Sequence, residues 1–338
     1  SYSTSFMKHC EKYVKSLDRT YGIGPNTNFL EIASNDGCLL KYVKPYGAKI
    51  LGVEPATNIA EIANVAGVPT LNSFFGEEAV EEILKGFGHC DFIVGNNVLA
   101  HVADINGFVK AVKSCLGTEG IAVFEFPYLL NLIHNVEFDT IYHEHLFYYS
   151  IHSLNNLFER HGLEIFDVQA QSIHGGSIRI FVQHTNYRPV NSIVSYYELI
   201  ERMYDLDNEL GYKNFAGMVT TFKNKFRSLL VELNKMNLTV AAYGAPAKST
   251  TLLNYCEIGP DLIKFTVDIS PHKQGKYLPG SHIPIYARDM LLLGLPNYTV
   301  VLPWNFIDEI KEQQQTYLDL GGKFINPANI LKIGEIAI

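Results

Sequence analysis

No two of the five cysteines in this 338-residue chain form a C-x-x-C pair; Cys10, Cys38, Cys90, Cys115 and Cys256 are scattered. That spacing argues against a zinc ribbon within these residues and against a disulfide framework, and it fits a reducing, cytoplasmic setting. Basic residues are in deficit, 27 Lys and Arg against 35 Asp and Glu, for a formal net charge of −8. A non-specific nucleic-acid binder is normally basic, so that class is disfavoured. A small anionic ligand stays open, because it needs only a local cationic patch or helix N-termini. There is no run of about eighteen apolar residues of the kind a membrane-spanning helix needs, and no secretory signal peptide is expected from these residues. The first residue is Ser1, and "SYSTSF" is unlike a natural start, so removal of an upstream segment is expected.

What is present is the composition of a globular chain, 47% apolar and 18% charged, with a length that suits two domains. The first half alternates strand and helix patterns. "TNFLEIAS", "KILGVEPA", "CDFIVGNNVLAHV" and "GIAVFEFPY" read as strands with helical stretches between them. Such alternation predicts a parallel, doubly wound sheet. "GGSIRIFVQHT" reads as a further strand with alternation at Ser177, Arg179 and Phe181. Residues 190–236 read as mostly helical. The strand–turn–helix pattern restarts at "LTVAAYGAPAKSTTLLNYC", followed by "IKFTVDIS" and "NYTVVLPWNF". The expected fold class is therefore α/β with two Rossmann-like doubly wound domains: 1–188, a helical connector 189–237, and 238–338.

The first turn, "EIASNDGCLL", lies where ligands sit in such sheets, at the carboxyl ends of the strands. Gly37 permits the tight turn, and Glu31 ends the strand. Glu54 ends the next strand, about 20 residues on, where a carboxylate can accept the hydroxyls of a ribose. The turn is not G-x-G-x-x-G, and Glu31 and Asp36 would repel a pyrophosphate. They would attract an adenosyl cofactor that lacks phosphate and carries positive charge. S-adenosylmethionine is such a molecule. Asn96 and Asn97 end the third strand, where its aminoacyl part would lie, although Asn97 could equally cap a helix. Glu31 and Glu54 could also be plain solvated strand ends.

The second turn, "YGAPAKST", sets Gly244 and Ala245 ahead of a helix start carrying Lys248. Free backbone N–H groups, the helix dipole and a lysine can cradle a phosphate. Asp268 ends the following strand, and the loop "SPHKQGKYLPG" brings His272, Lys273 and Lys276. The same loop could be merely solvated.

Between these two sites lies "DTIYHEHLFYYS". His143, Glu144 and His145 could be a metal site, an acid/base site or the polar edge of a core. H-x-H is a real metal spacing, but no cysteine or carboxylate cluster completes it, so no metal is expected. In an extended segment Tyr142 and Glu144 would face one way and His143 and His145 the other. Convergence would need a loop or bulge.

Eight segments, "LEIASNDGCLL", "GVEPATN", "NNVLAHV", "YHEHLFYYS", "HGGSIRIFV", "YGAPAKSTTLLN", "DISPHKQGKYLPGSHIPI" and "LPWNF", taken in order, resemble the sugar C-methyltransferases of deoxysugar biosynthesis. The resemblance covers nearly the whole chain. It implies a class I methyltransferase domain over 1–188 that binds S-adenosylmethionine, and a C-terminal nucleotide-sugar domain over 238–338. It implies donor contacts from Glu31, Asn35, Asp36 and Gly37, from Glu54 and Pro55, and from Asn96 and Asn97. It implies a thymidine-linked keto sugar with its diphosphate around Tyr243 to Lys248 and the 271–276 loop, and the sugar in the cleft between domains. Family members carry an N-terminal zinc module that this sequence lacks, which leaves Tyr2 as a candidate substrate residue. His174 and Asn305 join that list. The resemblance implies His145 as the base that removes the proton beside a ketone, with Tyr142 and Glu144 orienting it or polarising the carbonyl. Trp304 and His143 are expected to be structural. Two other classes remain beside this one: a nicotinamide-dependent oxidoreductase acting on sugar nucleotides, and a non-catalytic sugar-nucleotide binder.

Overall fold

The structure, a computed structural model, describes residues 4–171 and 176–332, with side chains from Phe6 onward. Two residues expected on the substrate side, Tyr2 and His174, lie outside the described residues. The chain divides into two compact units: Ser1–Leu129 with Leu146–Tyr204, and Leu130–His145 with Asp205–Ile338.

The first unit holds seven strands: β1 (Asn28–Ile32), β2 (Lys49–Val53), β3 (Thr70–Leu71), β4 (Cys90–Asn96), β5 (Leu116–Pro127), β6 (Leu163–Gln171) and β7 (Ser177–His184). Their order is β3-β2-β1-β4-β5-β7-β6. Pairing is parallel except for the two ladders that β7 makes with β5 and β6. Parallel strands are covered on both faces, which explains the near-continuous apolar runs in β1 and β4. The order reverses between β1 and β4, and this is the switch point at which a doubly wound sheet leaves a crevice. β3 is two residues long and escaped the sequence pattern for that reason. The alternation along β7 does not mark an open face: Ser177, Arg179 and Phe181 are all buried.

The second unit holds β8 (Val240–Tyr243), β9 (Thr266–Val267), β10 (Ile285–Tyr286), β11 (Tyr298–Val301) and β12 (Lys323–Ile325), all parallel, in the order β10-β9-β8-β11-β12. A 27-residue helix, Glu209–Lys235, starts on the Asn208 side chain, which accepts the Leu210 N–H. Its buried stripe of Val219, Phe222, Phe226, Leu230 and Leu233 has helical spacing and packs on the core around Val240, Leu252 and Val300. Each such fully buried side chain contributes roughly 2 kcal/mol.

Two boundaries differ from those expected. Helix Ser192–Met203, read as connector, packs with the first unit. Its Glu201 carboxylate accepts from the Tyr128 hydroxyl at 2.7 Å and from the N–H groups of Ile151 and His152. Leu130–His145, expected with the first domain, packs with the second. Phe138 sets its ring 5.2 Å from Phe222 and 5.3 Å from Tyr255. Sequence adjacency to β5 concealed this, because the partners of Phe138 lie far along the chain.

Candidate functional site

At the carboxyl end of β1 the chain turns through Ala33 and Asn35, both in the left-handed region at φ 54 and φ 52. Asn97, just past β4, sits there too, at φ 52. Asparagine tolerates this conformation; alanine pays for it, and such strain concentrates at ligand sites. Gly37, at φ 73, has no room for a side chain, because a Cβ would lie 2.8 Å from Val68. Asn35 N–H donates to Glu54 Oε2 at 3.0 Å and Ala56 N–H to Oε1 at 2.9 Å. Glu54 therefore ties the two strand-end loops together. A carboxylate has roughly four lone-pair sites, so acceptor capacity for hydroxyls is left over.

Glu31 is 5% exposed. Burial pushes its carboxyl well above the usual range, and Cys38, Asp36 and Glu54 push the same way. Glu31 Oε2, the Ser34 hydroxyl and Asn96 Oδ1 are buried and have no hydrogen-bond partner among the described residues. Buried acceptors left in this state normally await a ligand or water. A cavity of about 810 Å³ at these strand ends is lined by Ile32, Ala33, Pro55, Phe74, Phe75 and Asn97, among others; of the residues expected to contact the donor, Pro55 and Asn97 line it. The residues fit a donor that is cationic and rich in hydrogen-bond donors. A pyrophosphate would add negative charge to a carboxylate-rich turn.

The turn after β8 behaves differently. Gly244, at φ 87, lies against the Pro303 ring, where a side chain would clash. The Ala245 N–H, expected to be open to a phosphate, donates to Asp268 Oδ2 at 2.7 Å, and Ser270 N–H takes Oδ1 at 2.8 Å. Lys273 Nζ reaches the Ala245 carbonyl at 2.9 Å and Asp268 at 3.5 Å. An internal carboxylate thus fills the cradle. His272 and Lys276 are exposed, and Tyr243 is buried.

Lys248 points away from that cradle. Its Nζ donates to Asn305 Oδ1 at 2.6 Å and lies 3.9 Å from the centroid of the Trp304 ring. Burial lowers its amine to about 8, opposed by the Asp139 and Glu137 carboxylates. The Trp304 indole N–H donates to Asp139 Oδ2 at 2.7 Å. Asp139 is buried and burial raises its carboxyl; Glu137 is raised to about 7 for the same reason.

The Y-H-E-H segment is a turn, not an extended strand. His145 N–H donates to the Tyr142 carbonyl at 2.9 Å, which brings the two rings to 4.4 Å between centroids. His145 Nδ1 lies 2.9 Å from the Thr140 carbonyl. A carbonyl only accepts, so Nδ1 carries the proton and the lone pair of the neutral ring is on Nε2. The Thr140 carbonyl therefore fixes the orientation of the His145 ring. His143 and Glu144 turn outward, 85% and 57% exposed, 4.0 Å from each other. Burial raises the Tyr142 phenol, as do Glu144 and Asp139.

Comparison with known proteins now decides the class. A family model described as "C-methyltransferase C-terminal domain" matches residues 172–328, and "Methyltransferase domain" matches 6–168. C-methyltransferase NovU of Streptomyces niveus is 36% identical over 324 residues, spanning 96% of this chain and 77% of that protein. The chain belongs to the C-methyltransferase family. S-adenosylmethionine is its methyl donor, and the oxidoreductase alternative is set aside. A ubiquinone biosynthesis O-methyltransferase of Bartonella quintana (strain Toulouse) is 29% identical over 97 residues, 28% of this chain and 39% of that one. The structure of magnesium protoporphyrin IX methyltransferase from Synechocystis PCC 6803 aligns with a TM-score of 0.43 and 11% identity, over 53% of this chain and 84% of that one.

In this C-methyltransferase, sequence reasoning missed several groups. Phe74 and Phe75 line the cavity, and the aromatic pair in "LNSFFGEE" was the available clue. Glu125 on β5 and Arg179 on β7 face each other in register and pair at 2.6 Å, with His9 Nε2 2.8 Å from Glu125. The Arg179 guanidinium lies 3.3 Å from the centroid of the Tyr13 ring. No local pattern joins residues so distant. All five cysteines are buried and free. Among the described residues no helix is long and apolar enough to cross a membrane.

Proposed function

We propose that this C-methyltransferase alkylates the carbon beside the ketone of a nucleotide-linked 4-keto-deoxysugar, as a cytoplasmic step of deoxysugar biosynthesis. The observation that carries the reading is the hydrogen bond from His145 Nδ1 to the Thr140 carbonyl. It presents Nε2 as a proton acceptor, and a histidine base works near neutral pH. The C–H bond beside the ketone breaks, its proton goes to Nε2, and its electron pair moves onto the ketone oxygen as an enolate. Tyr142, kept protonated by burial, would donate a hydrogen bond to that oxygen. When bound, S-adenosylmethionine supplies an electrophilic methyl group on a sulfonium.

Glu31, Asn96 and Asn97 would hold the aminoacyl part of the donor, and Glu54 its ribose hydroxyls. Asn35, Asp36, Gly37 and Pro55 would shape the loops around it. For the sugar nucleotide, the exposed His272 and Lys276 are the cations available to a diphosphate. Tyr243, Gly244, Ala245 and Asn305 would form the wall behind it. Lys273 and Asp268 would hold the loop, and Lys248 would hold Asn305 in that wall.

The test is solvent exchange. Incubated in deuterium oxide with a thymidine-diphosphate-linked 4-keto-6-deoxy sugar, the wild type is expected to place deuterium on the carbon beside the ketone. His145→Ala is expected to slow exchange by ~10²–10⁴-fold while calorimetry shows unchanged donor binding. Exchange at the wild-type rate in that variant would remove His145 from the role.

A further inference from the structure

The Y-H-E-H turn rests on a buried relay that the proposed reaction leaves unused. Asp139 is 4% exposed and lies in the single helical turn Phe138–Thr140, one residue before the carbonyl that receives His145 Nδ1–H. Its Oδ2 accepts the Trp304 indole N–H at 2.7 Å. The other side of the relay fixes the indole: the Lys248 ammonium lies over the ring at 3.9 Å and is held by Asn305 Oδ1 at 2.6 Å. The Thr140 N–H and hydroxyl both donate to the Glu137 carbonyl, at 3.1 and 2.8 Å, and close the turn. Phe138 anchors the turn from the opposite direction, wedged between Phe222 and Tyr255. A buried carboxylate is costly unless its acceptors are filled. Here the indole N–H that the carboxylate accepts ties down the turn on which the Thr140 carbonyl sits.

We propose that Asp139 and Trp304 are positioning residues for the base: their hydrogen bond holds the Phe138–Thr140 turn so that the Thr140 carbonyl keeps His145 in the Nδ1–H tautomer. The inference rests on His145 being the base only for its effect on catalysis; the tautomer itself is a property of the free protein. An imidazole released from that carbonyl can protonate Nε2 instead, and a ring with hydrogen on Nε2 cannot take a proton there. This gives the lone tryptophan a task and explains why a lysine from the strand–turn–helix motif is turned inward.

The experiment uses the full chain labelled with ¹⁵N-histidine, with the His145 ring signals assigned by their loss in His145→Ala. In the wild type the ring nitrogens are expected to report Nδ1–H. Trp304→Phe keeps an aromatic face for Lys248 but deletes the N–H, and Asp139→Ala deletes the acceptor. Both are expected to shift the His145 signals toward a tautomer mixture and to lower the solvent-exchange rate by ~10-fold, the worth of one hydrogen bond to a charged group. Asp139→Asn still offers an oxygen to the indole and is expected to restore the signals. His145 signals that stay at wild-type positions in both Trp304→Phe and Asp139→Ala would overturn the proposal. If they move while His145→Ala exchanges at the wild-type rate, the positioning relay stands and the assignment of the base fails. Should Asp139→Ala not fold, Trp304→Phe alone decides.

Discussion

Glu31 and Asp268 are buried acids in two different sheets. Glu31 lies in β1, ahead of the turn into helix Leu40–Val43, and Asp268 lies just past β9, ahead of a loop that runs to β10. Their partners differ. Asp268 has both oxygens engaged by backbone N–H groups and a lysine. Glu31 has an oxygen without a partner among the described residues and lies near two other acids. A buried strand-end acid is therefore a self-contained anchor in one unit and carries an unpartnered oxygen in the other. Unsatisfied buried polar atoms are where a ligand or water is expected, and the Tyr243 hydroxyl in the second unit is in the same state as the Glu31 oxygen.

The largest expected effect comes from breaking the filled turn. Asp268→Ala leaves two backbone donors and an ammonium without their acceptor, and should cost about 3 kcal/mol of stability. Denaturant unfolding checks this, with donor calorimetry as the contrast, expected unchanged. A midpoint equal to wild type would mean that these N–H groups are readily released to another anion, and the contrast with Glu31 would collapse.

Glu31→Gln tests the other side. The affinity for S-adenosylmethionine should fall by roughly 10²-fold, as when a charge-assisted hydrogen bond is lost. The sign of the pH effect follows from the raised carboxyl. Its stabilising contribution to the free protein is present below the ordinary carboxylate pKa and is lost as pH rises through the folded value. A cationic donor favours the ionised form, so binding should release a proton, and affinity should tighten as pH rises. Calorimetry in buffers of different ionisation enthalpy reads that proton directly. Equal affinity of Glu31→Gln and wild type would show that the unfilled acceptor awaits only water.

The contrast also shows what could be read in advance. The strand–turn–helix repeats and the carboxylates at their ends were legible, because parallel strands advertise themselves as apolar runs with abrupt polar ends. Which carboxylate was already satisfied was not legible. Asp268 reaches Ala245 across 23 positions of sequence, and no periodicity encodes that pairing. The Y-H-E-H segment carried its residue types openly but not its shape. An extended reading separated Tyr142 from His145, and a turn set by Thr140 and Asp139 reunites them. Lys248 reads as a phosphate ligand because it stands at a helix start. Only the fold supplied Trp304 and Asn305, 56 and 57 positions away by residue number, as its actual neighbours.

Glu137 is an intermediate case between the two strand-end acids. It is buried, accepts the Asn135 amide at 3.0 Å, and is raised from 4.5 to about 7 chiefly by burial. Because the folded value is above the unfolded one, its stabilising contribution is complete below 4.5 and is lost by about 7. The wild type should therefore lose on the order of 2 kcal/mol across that window, and Glu137→Gln should flatten this part of the profile. Denaturant midpoints at about pH 5 and about pH 8 measure it. Parallel profiles for the two proteins would place Glu137 with the compensated acids.

The smallest effect sharpens the comparison within four residues. His143 and His145 share a turn, but one ring is 85% exposed and the other donates to a backbone carbonyl. An exposed imidazole is solvated and samples both tautomers, so the fold spends nothing on orienting it. A base must present one nitrogen in a fixed direction, which His145 does through Thr140. His143→Ala should change stability by less than about 0.5 kcal/mol, as surface substitutions usually do, and should leave solvent exchange within about twofold of wild type. A loss as deep as that of His145→Ala would reverse the assignment, since it would show that the outward ring turns to meet the substrate and that the anchored one serves only to hold the turn.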